Sequence, residues 1–352
     1  MFVPVVDHQQ QPLMPTTPAR ARRWIKSGKA TAFWKGGIFC VRLNVEPEAR
    51  EVQPIAVGID PGSKREGYSV TSAAHTYLNI QAEARDGVKD AEKDSTRMRR
   101  ARRNRKTPCR KPRQNRKQSK KKLPPSTRAR WQWKLRLASF LCKLFPVSVF
   151  VVEDIKAQTR QGKRRWNRSF SPLEVGKQWF YTEMSKIAAL QIKQGYETKA
   201  LRDHLGLKKT GKKLAEVWEA HCVDAWVLAY SAVGGATSPD NKRLVCLAPL
   251  NWHHRQLHRF QPEKGGKRKP YGGTLSLSLK RGMLVHHPKY GKAYVGGTME
   301  GKLSLHSPET GKRLTQGAKL TDCTALKVLR WKTRLVSLHH TSQKGAPHSS
   351  RA

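Results

Sequence analysis

Three acidic residues stand at positions where an apolar chain would ordinarily carry none. Asp60 ends the run Ile55 to Asp60 and is followed by Pro61, Gly62 and Ser63. Glu153 follows the run Val147 to Val152, and Asp224 lies in the stretch His221 to Trp226, where an apolar helical segment begins. Each carboxylate sits at the edge of an element whose other residues favour burial. Gathering three like charges is unfavourable unless cations sit among them. Hard oxygen ligands of this kind suit Mg2+ or Mn2+. Two such ions about 3.5–4 Å apart can activate a water and stabilise the leaving oxygen in phosphodiester hydrolysis. His221 and Asp224 are three residues apart, so on a helix they share a face. The imidazole could then orient the attacking water or a phosphate. Taken singly these residues are not distinctive, because an Asp after a strand is more often a turn former or helix cap. The Glu153-Asp154 pair could equally be a solvated strand end, and a lone His is more often a core or surface residue. The ordered set of three is the signal.

The elements around them read as an α/β domain. From Pro54 the pattern is strand, turn, strand: Ile55 to Asp60, Gly67 to Ser72, then Thr76 to Ala82, an antiparallel meander. Val147 to Val152 is a continuous apolar run, which fits a buried central strand. Helices are predicted over Ala129 to Leu144, over Pro172 to Gln194 with Gly195 as its terminator, and over Lys213 to Ala232. Tyr196 to Leu201 reads as a short strand, and Gly234 to Asn241 as a breaker cluster. Ahead of this domain, residues 1–52 hold a Pro-rich start, a basic helix (Pro18 to Ser27) and a strand (Ile38 to Val45). Behind it, short β-like stretches between 275 and 338 (Met283 to His286, Ala293 to Gly296, Leu303 to Leu305, Ala325 to Leu329) alternate with Gly/Pro turns, the pattern of a small β-barrel or sandwich. The final dozen residues read as a disordered tail.

Charge narrows the partners. Seventy Lys+Arg against 25 Asp+Glu leave a formal net charge of +45, which calls for a dense anion. Nucleic acid is the usual one, because phosphate neutralisation and counterion release supply most non-specific affinity. On charge alone a ribosomal or chromatin protein without chemistry fits as well. The basic residues are not evenly spread: fifteen Lys/Arg and no acid lie between Arg97 and Lys122. Glu92 to Lys106 lacks Pro and Gly and can be helical, whereas Pro108, Pro112, Pro124 and Pro125 make the rest extended or irregular. Arg97, Arg99, Arg100, Arg102, Arg103 and Arg105 would ring that helix, with Lys106 and Arg110 beyond them. Such a sheath repels itself and needs phosphates on several sides. Arg164, Arg165 and Trp166 combine phosphate-binding and base-stacking groups, though a buried Trp among solvated arginines fits nearly as well. His253-His254 and His286-His287 lack Cys or carboxylate partners and read as surface or phosphate-contacting residues. The basic, glycine-rich stretch 265–273 reads as a flexible loop rather than a phosphate cradle.

With 37% hydrophobic residues and ten Trp, the chain can bury a real core. Met1 to Asp7 is too short an apolar stretch for a signal peptide, and no run approaches the roughly 18 apolar residues of a membrane span. The six cysteines are scattered with no C-x-x-C pair, which fits a reducing cytoplasm and argues against a zinc ribbon.

These motifs, in order, resemble a known family. Gly58-Ile59-Asp60-Pro61-Gly62, Val151-Val152-Glu153-Asp154 and His221-x-x-Asp224-Ala225 are similar to the three split RuvC motifs of transposon-associated RNA-guided nucleases. The arginine run resembles their bridge helix, and Pro12-Leu13-Met14-Pro15 matches the signature of their PLMP domain. The chain is most similar to the IscB group, whose HNH nuclease lies between the second and third RuvC motifs. Here that interval is residues 154–220, with no Cys and one His, His204, so the chain looks like IsrB, the relative without HNH.

The resemblance implies an RNase H-like (RuvC) α/β core split by the bridge helix, with a small N-terminal PLMP domain and a small β-barrel-like C-terminal domain. The implied order is PLMP domain 1–52, RuvC part I 53–90, bridge helix and basic linker 91–125, RuvC part II 126–170 and RuvC part III 171–274. A C-terminal domain reading target-adjacent DNA at 275–340 and the tail at 341–352 complete it. It further implies catalytic roles for Asp60, Glu153, His221 and Asp224, with the three carboxylates holding Mg2+ or Mn2+, as two ions. A transposon-encoded omega RNA would guide a monomer to duplex DNA beside a short motif, and the non-target strand would be nicked, in the cytoplasm and without a membrane. Two other readings stay open: a guide-independent, structure-specific RuvC-type endonuclease, and a basic RNA-binding protein with a non-catalytic RuvC fold.

Overall fold

The structure is a computed structural model, and it describes residues 1–47, 50–106, 123–156, 171–249, 260–261, 266–267, 275–308, 310–328 and 331–336. The chain opens on a four-stranded sheet of β1 (Val3–Val6), β2 (Pro12–Thr16), β3 (Ala30–Lys35) and β4 (Ile38–Leu43) in the order β2-β1-β4-β3. Helix α1 (Pro18–Lys26) is capped by Thr17 and has Pro at its first turn, where a missing N–H costs nothing. The Pro-Leu-Met-Pro tetrapeptide forms most of β2, an edge strand, where proline is tolerated because no inner ladder needs its N–H. Val3, Val5, Ala21, Ala30, Val41 and Leu43 make a small core under this sheet.

The second body is a seven-stranded mixed sheet. Its strands are β5 (Ile55–Asp60), β6 (Arg65–Thr71), β7 (Thr76–Glu83), β8 (Val147–Asp154), β9 (Ala189–Gln194), β10 (Leu244–Pro249) and β20 (Trp331–Val336), in the order β20-β10-β7-β6-β5-β8-β9. β5, β6 and β7 form the expected antiparallel meander; β8 and β9 add in parallel on one side, β10 in parallel on the other. Side chains alternate faces along a strand. Ile55, Val57, Ile59, Phe150 and Val152 therefore share one face with Trp133, Leu137 and Leu141 of α3 (Pro125–Leu141) and Phe180 and Met184 of α4 (Pro172–Met184). The opposite face, carrying Gly58 and Asp60, receives α6 (Trp218–Val233). Gly58 and Gly67 let it come close: a Cβ on either would collide with the α6 backbone, at Ala225 and His221 respectively.

The chain departs from the expectation between α4 and α6. The helix predicted over Pro172 to Gln194 stops at Met184, residues 189–194 are strand β9, and the strand predicted at Tyr196 to Leu201 is helix α5 (Gly195–His204). β9 is Ala-Leu-Gln-Ile-Lys-Gln, mostly good helix formers, and pairing with β8 overrides that preference. Gly195 opens α5 instead of closing α4, with Gln194 and Glu197 forming a capping box. Helix α6 begins at Trp218, five residues later than predicted from Lys213.

Helix α2 (Val88–Lys106) carries the arginine run. Two short ribbons, β11 (Phe260–Gln261) with β12 (Gly266–Lys267) and β13 (Leu275–Ser276) with β14 (Leu279–Lys280), precede the third body. That body is an antiparallel sheet of β15 (Met283–His287), β16 (Gly291–Met299), β17 (Lys302–His306), β18 (Arg313–Ala318) and β19 (Thr324–Val328), in the order β18-β17-β16-β15-β19. The stretch predicted as one domain to residue 340 is thus divided, because β20 returns to the central sheet and pairs with β10. Among the described residues no helix is long and apolar enough to cross a membrane.

Candidate active site

The carboxylates converge because of register. β5 and β8 run parallel with Ile59 opposite Val152, so Asp60 and Glu153, one residue further along each strand, emerge side by side on the α6 face. Asp224 comes down from the second turn of α6 onto the same spot. Oxygens of Asp60, Glu153 and Asp224 lie within 4.8 Å of one another. Asp60 and Asp224 are buried and Glu153 is half-buried. This set of oxygen donors, and no softer ligand, fits a hard divalent cation.

Each carboxylate is held differently. Asp60 Oδ2 meets His221 Nδ1 at 2.9 Å, and His221 Nε2 donates to the Lys213 carbonyl at 3.0 Å. Both partners accept hydrogen bonds, so the doubly protonated ring satisfies both. Burial works against that charge, but the bond to Asp60 and its charge outweigh it and raise the His221 pKa. The sequence alone suggests that this imidazole orients water or phosphate. In the structure both ring nitrogens are engaged, by Asp60 and by the Lys213 carbonyl.

Glu153 is pushed up to about 7, by burial first and then by the charges of Asp60 and Asp224. Its strand end is clamped through its neighbour. Asp154 receives Lys177 Nζ at 2.7 Å, the Tyr181 hydroxyl at 3.1 Å and Gln194 Nε2 at 3.2 Å. Despite burial, those bonds hold Asp154 below its usual pKa, so it is committed to structure and Glu153 alone faces the site. Gly195 packs its backbone against the Glu153 carboxylate, where a Cβ would crowd Oε1 at 2.8 Å.

Asp224 is bracketed by two cations that sequence reasoning does not find. Arg202 Nη1 of α5 reaches Oδ1 at 2.6 Å, and Lys209, from the segment joining α5 to α6, bonds to Oδ2. Nothing local distinguishes these two among seventy basic residues. Only the return of α5 beside α6 gives them a partner. The charge balance expected from bound cations is therefore met in part by the protein's own Arg202, Lys209 and His221.

The residues proposed to meet nucleic acid lie elsewhere. Arg97, Arg99 and Arg100 are exposed on α2, and among the described residues Arg99 bonds locally, to the Ser95 carbonyl at 3.2 Å and Thr96 Oγ1 at 3.3 Å. Arg102, Arg103, Arg105 and Lys106 fall in the last turns of the same helix, with side chains outside the described residues. Arg110, Arg164, Arg165, Trp166 and the His253-His254 pair lie outside the described residues altogether, as does the basic loop at 265–273 apart from Gly266 and Lys267. His287 is buried and accepts the Lys289 amide at 3.1 Å, so it closes a turn; His286 is exposed.

A family model described as "RRXRR protein" matches residues 3–168, a span that includes the N-terminal sheet, Asp60, α2 and Glu153. No curated protein matches the chain. Among solved structures, the chain is similar to T. thermophilus RuvC in complex with Holliday junction substrate, at 13% identity and a TM-score of 0.29, over 52% of this chain and 97% of that one. It is also similar to a cryo-EM structure of a CRISPR-Cas12f ternary complex, at 14% identity and a TM-score of 0.32, over 63% of this chain. There it spans half of the Cas12f chain.

Proposed function

We propose that the chain is a divalent-metal-dependent endonuclease of RuvC-like, RNase H type that is guided by a structured, transposon-encoded omega RNA and nicks the non-target strand of duplex DNA. The observation that carries the chemistry is the triangle of Asp60, Glu153 and Asp224, built from two adjacent parallel strand ends and one helix face. The motif order, the arginine helix and the RRXRR match over residues 3–168 support the guided branch over a bare resolvase.

Asp60, Glu153 and Asp224 would hold Mg2+ or Mn2+, as two ions, which would supply an activated water and a stabilised leaving oxygen. The rest of the work falls to side chains. His221, fixed by the Lys213 carbonyl, sets the Asp60 carboxylate. Lys177, Tyr181 and Gln194 hold Asp154 and with it the turn of Glu153. Arg202 anchors Asp224 from α5. The α2 arginines would bind the guide–target heteroduplex through its backbone shape, not its sequence. The exposed Lys280, Lys289 and Lys292 in the C-terminal region are compatible with binding flanking duplex. A single acidic triad among the described residues supports nicking over double-strand cleavage.

The test is supercoiled plasmid carrying a guide-matched target, incubated with Mg2+, protein and the RNA that co-purifies from the native host. Open circles should accumulate, with the break on the strand not paired to the guide. Linear plasmid as the main early product would refute the single-site reading. Cutting without any RNA would favour the structure-specific enzyme, and no cutting at all the non-catalytic binder.

A further inference from the structure

Among the described residues, Asp224 is the one member of the triad with both oxygens bonded to basic side chains, and those two side chains are not equivalent. Arg202 belongs to a regular helix and its side chain is 13% exposed; that of Lys209, on the segment between α5 and α6, is 30% exposed. The backbone around Lys209 is well tied. Thr210 donates to the Glu219 carbonyl at 3.0 Å, Gln81 Nε2 donates to Ala215 at 2.9 Å, and the Lys213 carbonyl accepts from His221. Leu205 and Leu207 pack on the apolar side of α6. The segment is fixed, and what remains free to move is a flexible four-carbon stem ending in a compact charge.

A divalent ion held by the triad needs an oxygen of Asp224. With Arg202 on Oδ1 and the Lys209 ammonium already on Oδ2, a metal ion would be a third cation on one carboxylate in a largely buried site, where like charges repel strongly. We propose that Lys209 is an exchangeable counter-ion: it neutralises Asp224 while the metal site is empty and transfers to a phosphate of the bound nucleic acid when the metal loads. An ammonium is a good point-charge partner for a phosphate oxygen, and the substrate phosphate is the anion that arrives next to the metal. Arg202 keeps its hold on Oδ1 and so keeps Asp224 oriented during the exchange.

The inference rests on the triad being a metal site, and it adds that metal and nucleic acid bind with positive, reciprocal coupling. Phosphate relieves Asp224 of its lysine, and metal drives the lysine to phosphate. Metal affinity is therefore held down until substrate is present, which would limit hydrolysis of nucleic acid that is merely nearby.

The experiment titrates Mn2+ alone into the full chain, reading free Mn2+ by electron paramagnetic resonance, for wild type, Lys209→Met, Lys209→Arg and Asp60→Asn. Lys209→Met should bind Mn2+ about tenfold tighter without nucleic acid, the order expected from removing one charge at contact distance, and yet nick more slowly. Lys209→Arg, which keeps the charge, should stay close to wild type in metal affinity. Melting curves check that each variant is folded, and Lys209→Gln serves as the second neutral variant should Lys209→Met not fold. If Asp60→Asn weakens wild-type Mn2+ binding while the neutral variants bind equally or more weakly than wild type, the Lys209 exchange is overturned and the metal site stands. If neither wild type nor Lys209→Met shows Mn2+ binding sensitive to Asp60→Asn, the metal-site reading falls and the exchange falls with it.

Discussion

The two faces of the central sheet each bury carboxylates, and they do so in opposite ways. Under α3, Glu66 is fully buried; its Oε1 takes Lys134 Nζ at 2.5 Å and its Oε2 the Tyr68 hydroxyl at 2.8 Å. Trp131 lies over the same ammonium, with its ring centroid 5.3 Å away. That pair is closed, because each charge has its partner. Under α6, Asp60, Glu153 and Asp224 crowd together; Arg202 and Lys209 both go to Asp224 and His221 to Asp60, and all three are more exposed than Lys134. Burial of an acid is therefore no sign of chemistry in this molecule. What marks the α6 face is convergence of like charges with partners that can be exchanged. A closed pair adds rigidity, whereas an open cluster stores an unmet demand for cations.

The sharpest way to break the contrast is to neutralise one acid on each face. Glu153→Gln should abolish nicking, by about a thousandfold or more in a single-turnover assay, because one ligand of the metal site is gone. Its melting temperature should hold or rise, since the carboxylate it removes is burdened by burial and by two like charges. Nucleic-acid affinity, which comes from Lys/Arg elsewhere, should hardly change. Unimpaired nicking by this variant in Mg2+ would sink the assignment of the triad. On the other face, Lys134→Met leaves Glu66 buried without its partner and should cost about 3 kcal/mol of stability, measured by denaturant unfolding. Adding Glu66→Gln to it should restore most of that loss. If Lys134→Met alone is neutral, the two faces do not differ as described.

The strands that carry the acids are readable because each is a continuous apolar run ended by a carboxylate, a pattern with few competing explanations. Asp60 and Glu153 can be placed at strand ends from local pattern alone; Asp224, expected where an apolar helical stretch begins, lies inside the buried run of α6, and the structure brings the three together. Arg202 and Lys209 cannot be found that way, since in a chain this basic a partnered lysine is indistinguishable by type from a solvated one. The exchange of helix for strand at 189–204 has a similar cause. Ala, Leu, Gln and Lys favour helix locally, and only a free edge on β8 makes Ala189 to Gln194 a strand. The return of β20 to β10, more than eighty residues along the chain, leaves no local trace either.

Between those two extremes lies the joint that sets α6 on the sheet. A methyl on Gly58 would meet the Ala225 carbonyl at far less than contact distance, and a backbone neighbour cannot swing away. Gly58→Ala should therefore lift α6, at a cost of about 1–3 kcal/mol, and move Asp224 relative to Asp60 and Glu153. Nicking should fall by more than tenfold while nucleic-acid affinity changes little. Loss of stability with full nicking per folded molecule would show that the triad tolerates displacement of α6, and that its geometry is looser than this packing implies.

The smallest effects are expected from α2, where the contrast is with both faces of the sheet. Arg97, Arg99 and Arg100 are exposed, and among the described residues the bonds of Arg99 are local to its own helix. Replacing Arg99, Arg100, Arg102 and Arg103 together by Ala should leave the melting temperature within about 1 °C, since surface changes away from buried features are usually within ±0.5 kcal/mol. Ala is also the best helix former, which offsets the removal of those local bonds. Binding should weaken for every sequence alike, and the slope of log affinity against log salt should flatten by up to about 0.9 for each phosphate no longer neutralised. Nicking at saturating protein should persist, because the triad is untouched. An unchanged salt slope would mean these arginines form a solvated face. A large fall in melting temperature would mean that α2 supports the fold, and that its charge is not reserved for the nucleic acid.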